Sequence, residues 1–109
     1  MRKTREAGYQ ALLLSAELLT AAPAVFAAPP APLNAFLDRH CLDCHDDVVK
    51  EAGLNLLDLE FDLEDRETFF TWQRIFERIR DDEMPPANKK RPEATELSEL
   101  LPTLKEPLL

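Results

Sequence analysis

The sequence predicts an all-α domain of three or four short helices. Two observations carry that expectation. Apolar residues recur at helical spacing in separate stretches, most clearly at Phe69, Trp72, Ile75, Phe76 and Ile79. No stretch alternates apolar and polar residues for long enough to suggest a strand. A chain of 109 residues favours one domain.

The first 27 residues read as an export signal rather than as part of that domain. Met1-Arg2-Lys3-Thr4-Arg5 is a basic start, Ala11-Leu12-Leu13-Leu14 and Leu18-Leu19 form an apolar centre, and Val25-Phe26-Ala27 offers small residues for cleavage. Glu17 interrupts the apolar run, so an uncleaved N-terminal anchor is the alternative. No stretch reaches the ~18–20 uninterrupted apolar residues of a membrane-spanning helix. Residues 28–32, with Pro29, Pro30 and Pro32, read as a stiff linker, and residues 33–109 as the folded domain.

Within that domain a first helix is expected from Leu33, Phe36 and Leu37, capped by Asn34 and ending near His45 to Asp47. Residues 48–59 are mixed: Gly53 breaks them, and Leu54, Leu56, Leu57 and Leu59 form a short apolar cluster. The clearest helix runs from about Asp65 to Arg80. Acidic residues crowd its start and Arg74, Arg78 and Arg80 its end, which matches the helix dipole. Pro85-Pro86 forbids its continuation. A last helix should begin near Pro92 or Thr95 and bury Leu97, Leu100, Leu101 and Leu104, with Pro102 kinking or ending it.

The formal net charge is −8. Such acidity argues against nucleic acid and anionic membranes as partners and is compatible with transient docking to a basic protein patch. A domain this small has a marginal core and usually needs a staple. A disulfide between Cys41 and Cys44 would close only a tiny loop.

Those cysteines belong to Cys41-Leu42-Asp43-Cys44-His45. Residues at i, i+3 and i+4 point to one side of a helix. Covalent haem attachment needs that arrangement: two thiols reach two vinyl groups on one edge of a flat macrocycle, and the adjacent imidazole reaches the iron. A buried porphyrin also supplies the apolar surface that a small chain lacks. Two alternatives compete. A thioredoxin-like redox pair would want a βαβ pattern, which is absent. A zinc site would have to use Cys41, Cys44, His40 and His45 together, with both histidines on one short segment.

The iron's second axial ligand has to come from a remote segment. Past residue 27 the chain has one methionine, Met84, in Glu83-Met84-Pro85-Pro86. The prolines keep this strap extended. His40 is a poor rival, being tethered beside Cys41 on the proximal side. Trp72 reads chiefly as core, with pocket lining as the alternative. Gly53 either lets the backbone approach the haem edge or is an ordinary loop glycine. Arg39, Arg74 and Arg78 are candidate propionate partners or plain surface charges. Asp46-Asp47 and Asp81-Asp82-Glu83 read as solvated helix ends.

Taken in order, Phe36 to His45, Gly53-Leu54-Asn55-Leu56, Trp72, Asp82-Glu83-Met84-Pro85-Pro86, Arg91-Pro92 and Leu97 resemble the planctomycete-type cytochrome c domain over residues 33–101. The resemblance implies a class I cytochrome c-like fold around one covalently bound haem c. It implies Cys41 and Cys44 as attachment points and His45 and Met84 as iron ligands. It also implies a periplasmic or otherwise exported location. The expected function is single-electron transfer to a redox partner protein, with no enzymatic activity of its own. Two other readings stay open: a haem-based ligand sensor or accessory haem module of a larger exported enzyme, and a haem-free metal-binding or structural module.

Overall fold

A computed structural model describes residues 28–109; the segment read as an export signal, residues 1–27, lies outside them. Helix α1 spans Ala31–His40. It begins inside the proline run. Pro30 is its N-cap, and Pro32 sits in the first turn, where its missing N–H would have had no partner anyway. Asn34 is therefore an exposed residue within the helix, not its cap. Helix α2 spans Arg66–Arg80, as its periodicity predicts. Asp65 caps it, accepting hydrogen bonds from the Thr68 N–H at 3.0 Å and the Thr68 hydroxyl at 2.8 Å. Helix α2 ends well short of Pro85, so the prolines do not terminate it. The chain turns instead at Asp82, whose φ is +61°, and the N–H groups of Glu83 and Met84 fold back onto the Arg78 carbonyl at 2.9 and 3.1 Å.

Helix α3 spans Ala94–Leu108. A reciprocal capping box between Glu93 and Glu96 opens it. The expectation that Pro102 would kink or end this helix is overturned: it continues through both Pro102 and Pro107. An interior proline costs about 3 kcal/mol. Here both prolines are exposed, so water can reach the carbonyls they leave unpaired. Leu100, Leu104 and Leu108 are at most 1% exposed. Each contributes roughly 1.5–3 kcal/mol by burial, enough to hold the helix axis across the prolines.

The core is the meeting of three helical stripes: Leu33, Phe36 and Leu37 from α1, Trp72, Phe76 and Ile79 from α2, and the three leucines of α3. Leu56 and Phe61 from the α1–α2 connection complete it. Trp72 is a core residue. It packs edge-on against Phe61 at 5.2 Å between ring centroids, and its indole N–H donates to the Glu60 carbonyl at 2.8 Å. Helix α3 packs against both α1 and α2, whereas α1 and α2 do not pack on one another. The described residues contain three α-helices, one 3₁₀ turn at Glu51–Gly53 and no strand, which is the all-α class the sequence predicts. No described helix is long and apolar enough to cross a membrane.

Candidate functional site

Because α3 holds α1 and α2 apart, a space is left between them. It is a cavity of about 700 Å³, within the range of small-molecule and cofactor sites. Cys41, Cys44, His45 and Met84 all line it. Ile75 and Ile79 of α2, with Leu54 and Leu56 of the connecting loop, supply apolar wall.

The attachment motif does not lie on α1 as expected. Helix α1 ends at His40, and Cys41 breaks it at φ −126°. The Leu42 N–H still reaches the Leu37 carbonyl at 3.0 Å; a fresh turn then starts, in which the Cys44 and His45 N–H groups donate to the Cys41 carbonyl at 3.3 and 3.1 Å. The i, i+3, i+4 spacing therefore acts within one isolated turn set off from the α1 axis. Such a short turn needs support from its flank. Asp46, half-buried rather than simply solvated, accepts from the N–H groups of Val49 at 2.7 Å and Val48 at 3.0 Å. Those two bonds hold its carboxyl below the ordinary range. The loop beyond bonds back to the motif: the Glu51 N–H donates to the Cys44 carbonyl and the Leu56 N–H to the His45 carbonyl, both at 2.8 Å.

That loop is tight. Lys50, Ala52 and Gly53 all have positive φ, +46°, +56° and +74°. Gly53 lines the cavity, yet a Cβ there would meet nothing within 4 Å. The protein's own packing therefore leaves room for a side chain there, and the positive φ is what favours glycine.

Two observations test whether a haem fits. The Nδ1 atom of His45 is buried with no hydrogen-bond partner, the one such side-chain atom among the described residues. An orphaned imidazole nitrogen beside an apolar cavity calls for a group that takes up the ring. Burial also pushes the Cys41 thiol up to about 12. A neutral sulfur is poorly suited to a redox dithiol, which needs the ionised form. It suits a thioether, which carries no charge into the apolar wall. The residues present fit a covalently held haem.

His40 also lines the cavity, and its Nε2 is engaged by a partner that sequence spacing does not reveal. Its side chain is 7% exposed, and its Nε2 lies 2.9 Å from Glu96 Oε2. The same carboxylate receives the Arg39 guanidinium at 3.0 Å and, through its other oxygen, the Glu93 N–H at 3.1 Å. These bonds, that to His40 first, hold the Glu96 carboxyl at about 2. Glu96 thus caps α3 and fastens the end of α1, immediately before Cys41, to it.

The charge around the cavity runs against that of the chain. Arg39, Arg74, Arg78, Lys89 and Lys90 line it, against Asp43 and Glu51 among the carboxylates. The acidic run after α2 is paired rather than merely solvated: Asp81 with Arg80 at 2.8 Å, Glu83 with Arg78 at 3.3 Å and Asp82 with Arg91 at 2.6 Å.

Residues 41–88 match the model of the planctomycete cytochrome C family. That segment is similar to the family, and the match bears out the resemblance read from the motifs over those residues. The cytochrome C match begins on the first cysteine, takes in Gly53-Leu54, Trp72 and the Met84 strap, and stops before Arg91 and α3. No curated protein and no solved structure matches the chain.

Proposed function

We propose that the chain is an exported c-type cytochrome domain that holds one haem c covalently and passes single electrons to a redox partner protein. The observation that carries this reading is the convergence of Cys41, Cys44, His45 and Met84, from two separated segments, on one cavity. Cys41 and Cys44 form the two thioether links. His45 and Met84 would hold the iron. Haem, when bound, would supply a one-electron iron couple, and a methionine thioether paired with a histidine would raise its potential. Ile75, Ile79, Leu54 and Leu56 exclude water from the ring, and the cavity's arginines and lysines offer partners for its carboxylates. With the iron held by both His45 and Met84, no coordination site would be left for substrate, which favours a carrier over an enzyme. The N-terminal basic and apolar segment provides the export signal.

The test is expression of the full chain with a haem-maturation system, followed by intact mass and absorption spectra. The mass of the processed chain plus one haem, and a low-spin spectrum, are expected. Met84→Ala should turn the spectrum high-spin and lower the potential. The bare polypeptide mass in the wild-type protein overturns the reading, and an unchanged spectrum in the variant removes Met84 from the iron.

A further inference from the structure

The Met84 strap is gripped by a residue that does not line the cavity. The Arg91 guanidinium donates through Nη1 to the Pro85 carbonyl at 2.6 Å and to the Pro86 carbonyl at 3.1 Å. Through Nη2 it donates to Asp82 Oδ1 at 2.6 Å. The three acceptors bracket Met84 along the chain. We propose that Arg91 is a positioning residue for Met84, setting how firmly the thioether is presented to the iron and hence how readily the sixth coordination position opens. The proposal rests on the His/Met reading above.

Four features make Arg91 the clamp and not an incidental contact. Pro85 and Pro86 have no N–H, so the strap cannot be held by a backbone ladder in which it donates. Its near side is already tied, since the Met84 N–H donates to the Arg78 carbonyl at 3.1 Å. Its far side depends on the proline carbonyls, and a planar guanidinium fork can bind two carbonyls and a carboxylate at once. Finally, Arg91 stands two residues before Glu93, the cap of α3, so the clamp is rooted where the core helix begins. The neighbouring pair Arg78–Glu83 does not share this role. Its contact, at 3.3 Å, joins two side chains that are more than half exposed and touches neither proline carbonyl.

The test uses the full chain after haem maturation, as wild type, Arg91→Gln, Arg91→Lys, Met84→Ala and the Met84→Ala/Arg91→Gln double variant. Three quantities are read: the methionine–iron charge-transfer band of the oxidised protein, the rate of carbon monoxide binding to the reduced protein, and thermal stability. Arg91→Gln should weaken the band and speed carbon monoxide binding by about tenfold or more, the size expected for losing hydrogen bonds to a charged donor. Arg91→Lys keeps the charge without the fork and should fall in between. In the Met84→Ala background, Arg91→Gln should leave the carbon monoxide rate where it was, because there is no thioether left to position. A wild-type band and rate in Arg91→Gln overturn the proposal, as does an acceleration that persists in full without Met84, whatever happens to the melting temperature. Should Arg91→Gln fail to mature, Asp82→Asn frees one arm of the guanidinium, and it must shift the band in the same direction for the proposal to stand. A wild-type chain without haem sinks the haem reading and this proposal together. A normal wild-type spectrum with an unaltered Arg91→Gln sinks this one alone.

Discussion

The two segments that bring the proposed haem-holding residues to the cavity are built in opposite ways. The turn at 41–45 carries three functional side chains within five residues, and its backbone bonds are mostly local, Cys44 and His45 onto Cys41. The strap at 82–86 carries one, Met84. It is held by partners on either side of it, the Arg78 carbonyl at the end of α2 and the Arg91 guanidinium just before α3. The contrast matches the covalent attachment proposed for the first segment. Two thioether links hold a cofactor once the spacing is right, and the surrounding structure only has to keep the turn from unwinding. A thioether donor that is not covalently fixed must be presented, and presentation needs a scaffold. The attachment turn can therefore be recognised in almost any sequence, whereas the strap is recognisable only by its company.

The largest effect is expected from breaking the local half. Cys41→Ala with Cys44→Ala should abolish covalent haem altogether; acid-stable haem by mass spectrometry in that variant would refute the attachment assignment. Next in size is the scaffold that serves both halves. Leu104 is fully buried in α3, which packs on both α1 and α2. Leu104→Ala should cost about 2–5 kcal/mol in denaturant unfolding. If the two halves differ as argued, haem should stay attached in that variant while the Met84 contact loosens. Loss of attachment with retained methionine ligation would reverse the comparison.

A smaller, pH-dependent effect sharpens it further. Glu96 adds a long-range polar fastening of the attachment side to the apolar packing of α1 on α3, and its carboxyl lies at about 2 against an ordinary 4.5. A carboxyl depressed on folding stabilises the fold above its unfolded value, and that contribution disappears as pH falls from about 4.5 towards 2. Glu96→Gln should therefore lower the melting temperature at neutral pH and flatten its decline through that acid window. Parallel wild-type and variant curves across the window would show that the fastening contributes nothing. The smallest effect is at Gly53. Its +74° φ makes Gly53→Ala strained by about 1 kcal/mol even though the added Cβ meets no atom. A neutral melting curve in that variant would mean that the loop behind the attachment turn yields without cost.

Much of this was legible before any coordinates. The periodicity of Phe69, Trp72, Phe76 and Ile79 and the acidic start at Asp65 place α2 to within a residue. The spacing of Cys41, Cys44 and His45 identifies the attachment turn, and the lone methionine of the described residues, set among prolines, identifies the strap. Helix ends were less legible. The α1 boundary moved because Pro32 is harmless in a first turn and because Cys41 leaves helical geometry five residues early, neither of which propensity encodes. Helix α3 outran Pro102 because the burial of leucines on its far side outweighs one lost hydrogen bond, a balance that exists only once there is a neighbour to pack against.

Residue types and their spacing thus settled the chemistry available here, since thiols, imidazole and thioether carry their reactivity wherever they stand. Packing decided which of them meet. Helix α3 holds α1 and α2 apart to open the cavity, Glu96 ties down the His40 ring at its wall, and Arg91 secures the methionine strap beside it. Each of these contacts joins residues on different structural segments, where the energy of contact depends on three-dimensional proximity that no local pattern in the chain records.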